Sequence, residues 1–163
     1  PLQKKRQLCG YVVAHECFGP LTDAEAAISR QIVARLGDCR WFHGGMPGRR
    51  VGDSLLPPSV TGSDPRGHGD SIPDRLSQVY ITQALEMAIP YAEEMAGGCI
   101  YVVEPEGEIA VDPIVLRADN LLRSDKRDGR FIEEQEHYSF CCSSAKVVEV
   151  IEWPSPDTGK GGC

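Results

Sequence analysis

Residues 99–113 read CIYVVEPEGEIAVDP. Ile100 to Val103 are an unbroken run of β-branched and aromatic residues, Glu106 and Gly107 mark a turn, and the chain then resumes a short extended course. The stretch therefore predicts a strand, a turn and a second short strand. Just ahead of it, ALEMAIPYAEEMAGG (84–98) reads as a helix closed by Gly97 and Gly98. Pro90 inside that helix removes a backbone donor and either kinks it or limits its first turn. QVYIT (78–82) returns to strand.

Working outward, WFHGGMPGRRVGD (41–53) opens with Trp41 and Phe42 as the buried end of a strand. Gly44 and Gly45 then let the backbone approach something closely or turn with positive φ. Between Pro57 and Arg75 the chain is rich in Pro, Gly, Ser and Asp and reads as a long loop. Upstream, TDAEAAISRQIVARLGD (22–38) carries Thr22 and Glu25 at capping-box spacing, then an apolar stripe of Ala26, Ile28, Ile32, Val33 and Leu36 that stops at Gly37. LCGYVVAHECF (8–18) predicts a strand, 117–130 a charged loop, and HYSFCCSSAKVVEVIEW (137–153) one or two final strands. Strands and helices in mixed, non-alternating order predict an α+β domain with a mainly antiparallel sheet. No GxGxxG or GxxxxGK motif supports a phosphate-cradling turn.

A length of 163 residues suits one domain with a real core. The net charge of -7 argues against nucleic-acid backbone or an anionic membrane as a non-specific partner, since both require clustered Lys and Arg. The one basic cluster, Lys4 to Arg6, reads as a solvated end. Seven irregularly spaced cysteines fit a disulfide framework poorly, so a reduced cytoplasmic setting is expected. No apolar run approaches the roughly 20 residues that span a bilayer, so no membrane partner is expected. A start at Pro1 rather than Met leaves open a processed or excised piece, and with it export.

Three pieces in this order, FHGG (42–45), VYIT (79–82) followed by a helix, and IYVVEPEG…VDP (100–113), resemble the rifamycin-inactivating NAD-dependent ADP-ribosyltransferases. These are small enzymes of the diphtheria-toxin and poly-ADP-ribose-polymerase type. The resemblance runs from Trp41 to Pro113 with one long insertion, and resumes at VVEVIEW (147–153). It implies an ADP-ribosyltransferase fold, with split, mainly antiparallel sheets and a few helices around an NAD cleft. With the length and patterning of the chain this gives one domain over 1–163: an N-terminal strand and helix extension (1–40), a catalytic core (41–153) and a flexible tail (154–163). Its triad maps onto His43, Tyr80 and Asp112.

On this resemblance His43 holds a ribose hydroxyl of NAD, and the backbone at Gly44 lies against the nicotinamide amide where a Cβ would clash. Tyr80 stacks on the nicotinamide, and Tyr91 is a second aromatic wall, or else packs its helix on the sheet. Asp112 faces the ribose as it turns cationic; taken alone, it reads as an Asp-Pro turn. Glu134 or Glu136 could share that role, or form a solvated edge. NAD is then a co-substrate and no metal is required.

Two stretches depart from the family pattern: the Pro57 to Leu76 insertion and the long, acidic-ending run from Ile114 to His137, which lacks the family's short basic loop. Both fall where the acceptor would be chosen, so the ADP-ribose acceptor stays open between a rifamycin-like small molecule and a protein or nucleic acid. The remaining alternatives are an ADP-ribosylating toxin or effector, an NAD glycohydrolase, and a catalytically silent NAD-binding module. His137 with Cys141 is a weak zinc signal, His15 with Cys17 does not read as a Cys-His nucleophile, and RGHGD (66–70) reads as a loop.

Overall fold

The computed structural model describes residues 20–62, 76–95, 97–117 and 139–152. The expected strand in 8–18, the basic cluster, His15, Cys17, RGHGD and the C-terminal tail lie outside the described residues. So do most of the Pro57–Arg75 loop and of the charged stretch after Arg117.

Among the described residues every strand pairing is antiparallel, and the strands divide into two sheets. The larger runs β1 (Trp41–Gly45), β4 (Cys99–Glu106), β7 (Ser144–Glu152), β2 (Ser54–Leu55). The smaller runs β3 (Val79–Ile81), β6 (Phe140–Cys142), β5 (Ala110–Val111). With helices α1 (Asp23–Leu36), α2 (Pro58–Thr61) and α3 (Leu85–Glu93), this is an α+β arrangement. No described helix is long and apolar enough to cross a membrane.

The alternation of β1 and β4 sorts the core into two clusters. Trp41, Tyr101 and Val103 face the space between the sheets, where they meet Val79, Ile81, Val111, Phe140 and Ile32 of α1. Phe42, Ile100 and Val102 face the other way and take Ala88 and Ala92 of α3. The Trp41 and Phe140 rings meet edge to face at 5.1 Å, which ties one sheet to the other. The FCC and SAKVVEVIE halves of the last segment divide between the sheets, with only Ser143 between them; its hydroxyl donates to the Glu106 carbonyl at 3.0 Å.

The capping box at Thr22 forms as its sequence predicts. Both α2 and the end of α3 differ from expectation. The start of the Pro57–Arg75 region holds α2, because Pro58 presets φ for a first turn and Gly62 closes it at φ 68°. Helix α3 runs through Pro90 but ends at Glu93, four residues before Gly97. There Met95 N–H donates to Ala92 O at 3.1 Å and Gly98 N–H to Met95 O at 2.9 Å, so the last turn tightens and the chain doubles back into β4.

Gly44 is where β1 and α3 touch. A Cβ built on it would lie 2.0 Å from the Ala88 carbonyl oxygen, a backbone atom that cannot swing aside. Gly44→Ala is expected to lower stability by about 3 kcal/mol through overpacking, read as a shifted midpoint in urea denaturation. A wild-type midpoint in the variant would mean that α3 is loosely seated.

Candidate active site

Among the described residues one isolated bridge joins the two sheets, and beyond it they part. Phe42 and Thr82 exchange both backbone hydrogen bonds, at 2.7 and 2.9 Å, and this bridge is the only ladder contact between β1 and the end of β3 among the described residues. In a continuing antiparallel ladder the next exchange would pair Gly44 with Tyr80. Instead the Tyr80 carbonyl lies 2.8 Å from Nδ1 of His43. A carbonyl only accepts, so Nδ1 carries the proton and, in the neutral ring, Nε2 carries the lone pair. The imidazole thus stands where the ladder would have continued, at the mouth of the split.

His43 shares its face of β1 with Tyr101, its partner in register on β4, and the rings lie 6.4 Å apart and 26° from parallel. Two residues on, a Cβ at Gly45 would come within 2.9 Å of His43 Nε2. The glycine pair therefore has two separate causes: Gly44 admits α3, and Gly45 leaves room for the imidazole. The Gly44 backbone also lines the cavity, but what a Cβ there would strike is the helix.

Tyr101 is buried, and burial pushes its phenol above the ordinary tyrosine range. Its hydroxyl donates to Met46 O at 2.6 Å and accepts from Arg49 N–H at 3.4 Å, so it anchors the loop that follows β1. Thr82, besides forming the bridge, accepts from Ala84 N–H at 3.1 Å through its hydroxyl and so fixes the turn ahead of α3. In the sequence Tyr101 reads as one more apolar strand position. Its partners lie some 50 residues away in the chain, and no local pattern announces them.

Asp112 is 2% exposed. Oδ1 accepts from Ile114 N–H at 2.9 Å, and Oδ2 accepts from the Ser139 hydroxyl at 3.0 Å. With Pro113 behind it, Asp112 caps the helical turn 113–117. The Asp-Pro turn and the oriented carboxylate are thus the same structure.

Helix α1 brackets this turn from both sides. The Ser29 hydroxyl accepts from Val111 N–H at 2.9 Å. Arg117 grips Glu25 with two bonds, Nε to Oε1 at 2.8 Å and Nη2 to Oε2 at 2.9 Å, and donates to Pro20 O at 2.7 Å. The sequence places α1 in an extension ahead of Trp41; the fold makes it the mount of Asp112.

One cavity of about 280 Å³ joins these elements, and His43, Gly44, Tyr80, Tyr91 and Asp112 all line it. Tyr80 points to the opposite face of its strand from the buried Val79 and Ile81. Helix α3 is seated on the sheet by Leu85, Ala88, Ile89 and Ala92, while Tyr91 stands half-buried on the cavity wall. The three methionines of the chain, Met46, Met87 and Met95, are on that wall too. Glu134, Glu136 and His137 lie outside the described residues.

Cys39, Cys99, Cys141 and Cys142 are free thiols. Burial, and then the Asp112 charge, push Cys141 up to about 12, which makes it a poor nucleophile or metal ligand at neutral pH. Among the described residues no three His, Cys, Asp or Glu side chains are placed to hold a metal ion.

Hydrogen bonding to Arg117 holds Glu25 down, from 4.5 to about 2. A carboxyl depressed in the folded state stabilises it above the unfolded value, and that contribution is lost as pH falls through the folded value. Wild-type stability is therefore expected to decline between pH about 4.5 and about 2, and Glu25→Gln should flatten that part of a stability-against-pH curve measured by denaturant titration. Parallel curves would mean that the pair contributes nothing to folding. No protein-family model matches the chain, and no curated protein matches it.

Proposed function

We propose that this cavity binds the nicotinamide riboside end of NAD and that the protein is an ADP-ribosyltransferase, breaking the nicotinamide-ribose bond and passing ADP-ribose to an acceptor. The observation that carries the reading is the convergence of His43 from β1, Tyr80 from β3 and Asp112 from the end of β5 on one cavity. They are the three positions to which the sequence motifs assign those roles. Residues 37 and 32 positions apart have no local reason to share a wall.

The chemistry of each group suits its place. His43 is locked in one tautomer by the Tyr80 carbonyl, so Nε2 can accept a ribose hydroxyl. Tyr80 and Tyr91 offer two aromatic faces on the same cavity for a flat cationic ring. The Asp112 carboxylate is held by Ile114 and Ser139 before any ligand arrives, and a fixed anion in a water-poor site stabilises positive charge developing on the ribose at little reorganisation cost. It can also accept the proton of an incoming hydroxyl. The volume is just below the range of about 300–1,000 Å³ for pockets enclosing a drug-sized ligand, which fits one end of a dinucleotide rather than all of it.

For the acceptor, the apolar remainder of the wall favours a small, largely apolar molecule, as in the rifamycin-modifying enzymes, over a protein or nucleic-acid target. Met46, Met87 and Met95 with Leu55 and Leu56 make a deformable surface of the kind that adapts to varied ligands. A toxin-like or effector role, simple NAD hydrolysis and a silent binding module remain the competing outcomes of one assay.

Incubation with NAD should release nicotinamide, and Asp112→Asn, which keeps the cap, should slow that release by about 10²- to 10³-fold. Acceleration by rifamycin would identify the antibiotic branch, and equal release without any acceptor the glycohydrolase. NAD binding without release would leave the silent module, and neither binding nor release would end the proposal.

A further inference from the structure

The charges on the cavity wall are sparse and ordered. Among the described residues that line it, only Asp112 and Arg49 carry a formal charge at neutral pH. Asp112 is 2% exposed, whereas Arg49 is exposed. From depth to rim the wall thus presents an anion and then a cation. A ligand that matches it must carry positive charge inward and negative charge outward.

Arg49 is also held where a recognition residue should be. Its N–H reaches the Tyr101 hydroxyl at 3.4 Å, and that hydroxyl in turn donates to Met46 O at 2.6 Å. Behind it the loop is fastened to β7, with Gly52 N–H donating to Val147 O and Val147 N–H donating to Asp53 O, both at 2.8 Å. The Asp53 carboxylate accepts from Arg50 N–H at 2.8 Å. Gly48 and Gly52 turn the loop at φ 101° and 95°. The guanidinium therefore rises from a backbone tied to the same tyrosine that packs beside His43.

We infer that Arg49 is the specificity residue for the anionic half of the ligand, holding the diphosphate of a nicotinamide dinucleotide at the rim while Asp112 faces the cationic end inside. This rests on the NAD reading and deepens it. A guanidinium offers paired donors that match phosphate oxygens, an arrangement that a lysine ammonium reproduces only in charge. The exposed position screens the interaction, so it acts on affinity and orientation and leaves bond breaking to the buried groups.

The test measures binding of two fragments, ADP-ribose and nicotinamide, by calorimetry or ligand-observed NMR, on wild type, Arg49→Ala and Arg49→Lys. Arg49→Ala is expected to weaken ADP-ribose about tenfold or more and to raise KM for NAD, with kcat little affected and nicotinamide binding retained. Arg49→Lys should recover part of the loss, and the wild-type affinity for ADP-ribose should fall with added salt more steeply than that of Arg49→Ala. Tyr101→Phe, which keeps the ring beside His43 but releases the loop, should weaken ADP-ribose in the same direction and non-additively with Arg49→Ala. Undiminished ADP-ribose affinity in Arg49→Ala, with nicotinamide still bound, overturns the assignment of Arg49 and leaves the NAD reading standing. Wild-type protein that binds neither fragment nor NAD overturns both.

Discussion

The hydrogen bond from His43 Nδ1 to the Tyr80 carbonyl lets this molecule keep a split between its sheets. Strands that diverge after a single bridge leave backbone groups without their ladder partners, and a buried carbonyl left unpaired costs about 1–3 kcal/mol. An imidazole at that point satisfies the carbonyl while holding β1 and β3 apart, so the gap between them stays open. The same bond orients the ring and settles its tautomer. The structural role of His43 and the role proposed for it thus fall to one side chain.

The rest of the site is assembled around that gap by groups distant in sequence. Tyr101, from the middle of the larger sheet, supports the imidazole with its ring and the following loop with its hydroxyl. Helix α1 reaches Asp112 indirectly, through Ser29 on one side and the Glu25–Arg117 pair on the other. Burial of an ionised carboxylate is unfavourable unless its oxygens are satisfied, and here a helix cap and the Ser139 hydroxyl supply the partners. A carboxylate stabilised in this way is held in place before a ligand arrives, and such preorganisation is what electrostatic catalysis requires.

Several elements were legible because their causes are local. The Thr22 and Glu25 capping box, the apolar run of β4, the turn at Gly107 (φ 82°) and the strand at WFHGG all formed where their patterns placed them. Helix α3 was legible in kind but not in length, because its end is set by the return into β4 rather than by its own composition. Strand β2 has no signal of its own in the sequence: two residues carry no periodicity, and Ser54 and Leu55 are strand only because β7 offers them backbone partners. The two glycines of FHGG were legible as a demand for space, but the neighbours that impose it, Ala88 and the His43 ring, were not.

By itself the sequence determined the element types, the antiparallel α+β class and the residue kinds that could do chemistry, because helix caps, alternation and turn glycines act over a few residues. It also supplied, through three short motifs, the expectation that His43, Tyr80 and Asp112 belong together. Only the tertiary structure decided that the sheets part at the Phe42–Thr82 bridge, that α1 mounts Asp112, and that Arg49 and three methionines share the cavity wall. Those outcomes depend on contacts between segments tens of residues apart, and such contacts follow from how all the apolar faces are buried at once rather than from any stretch read alone.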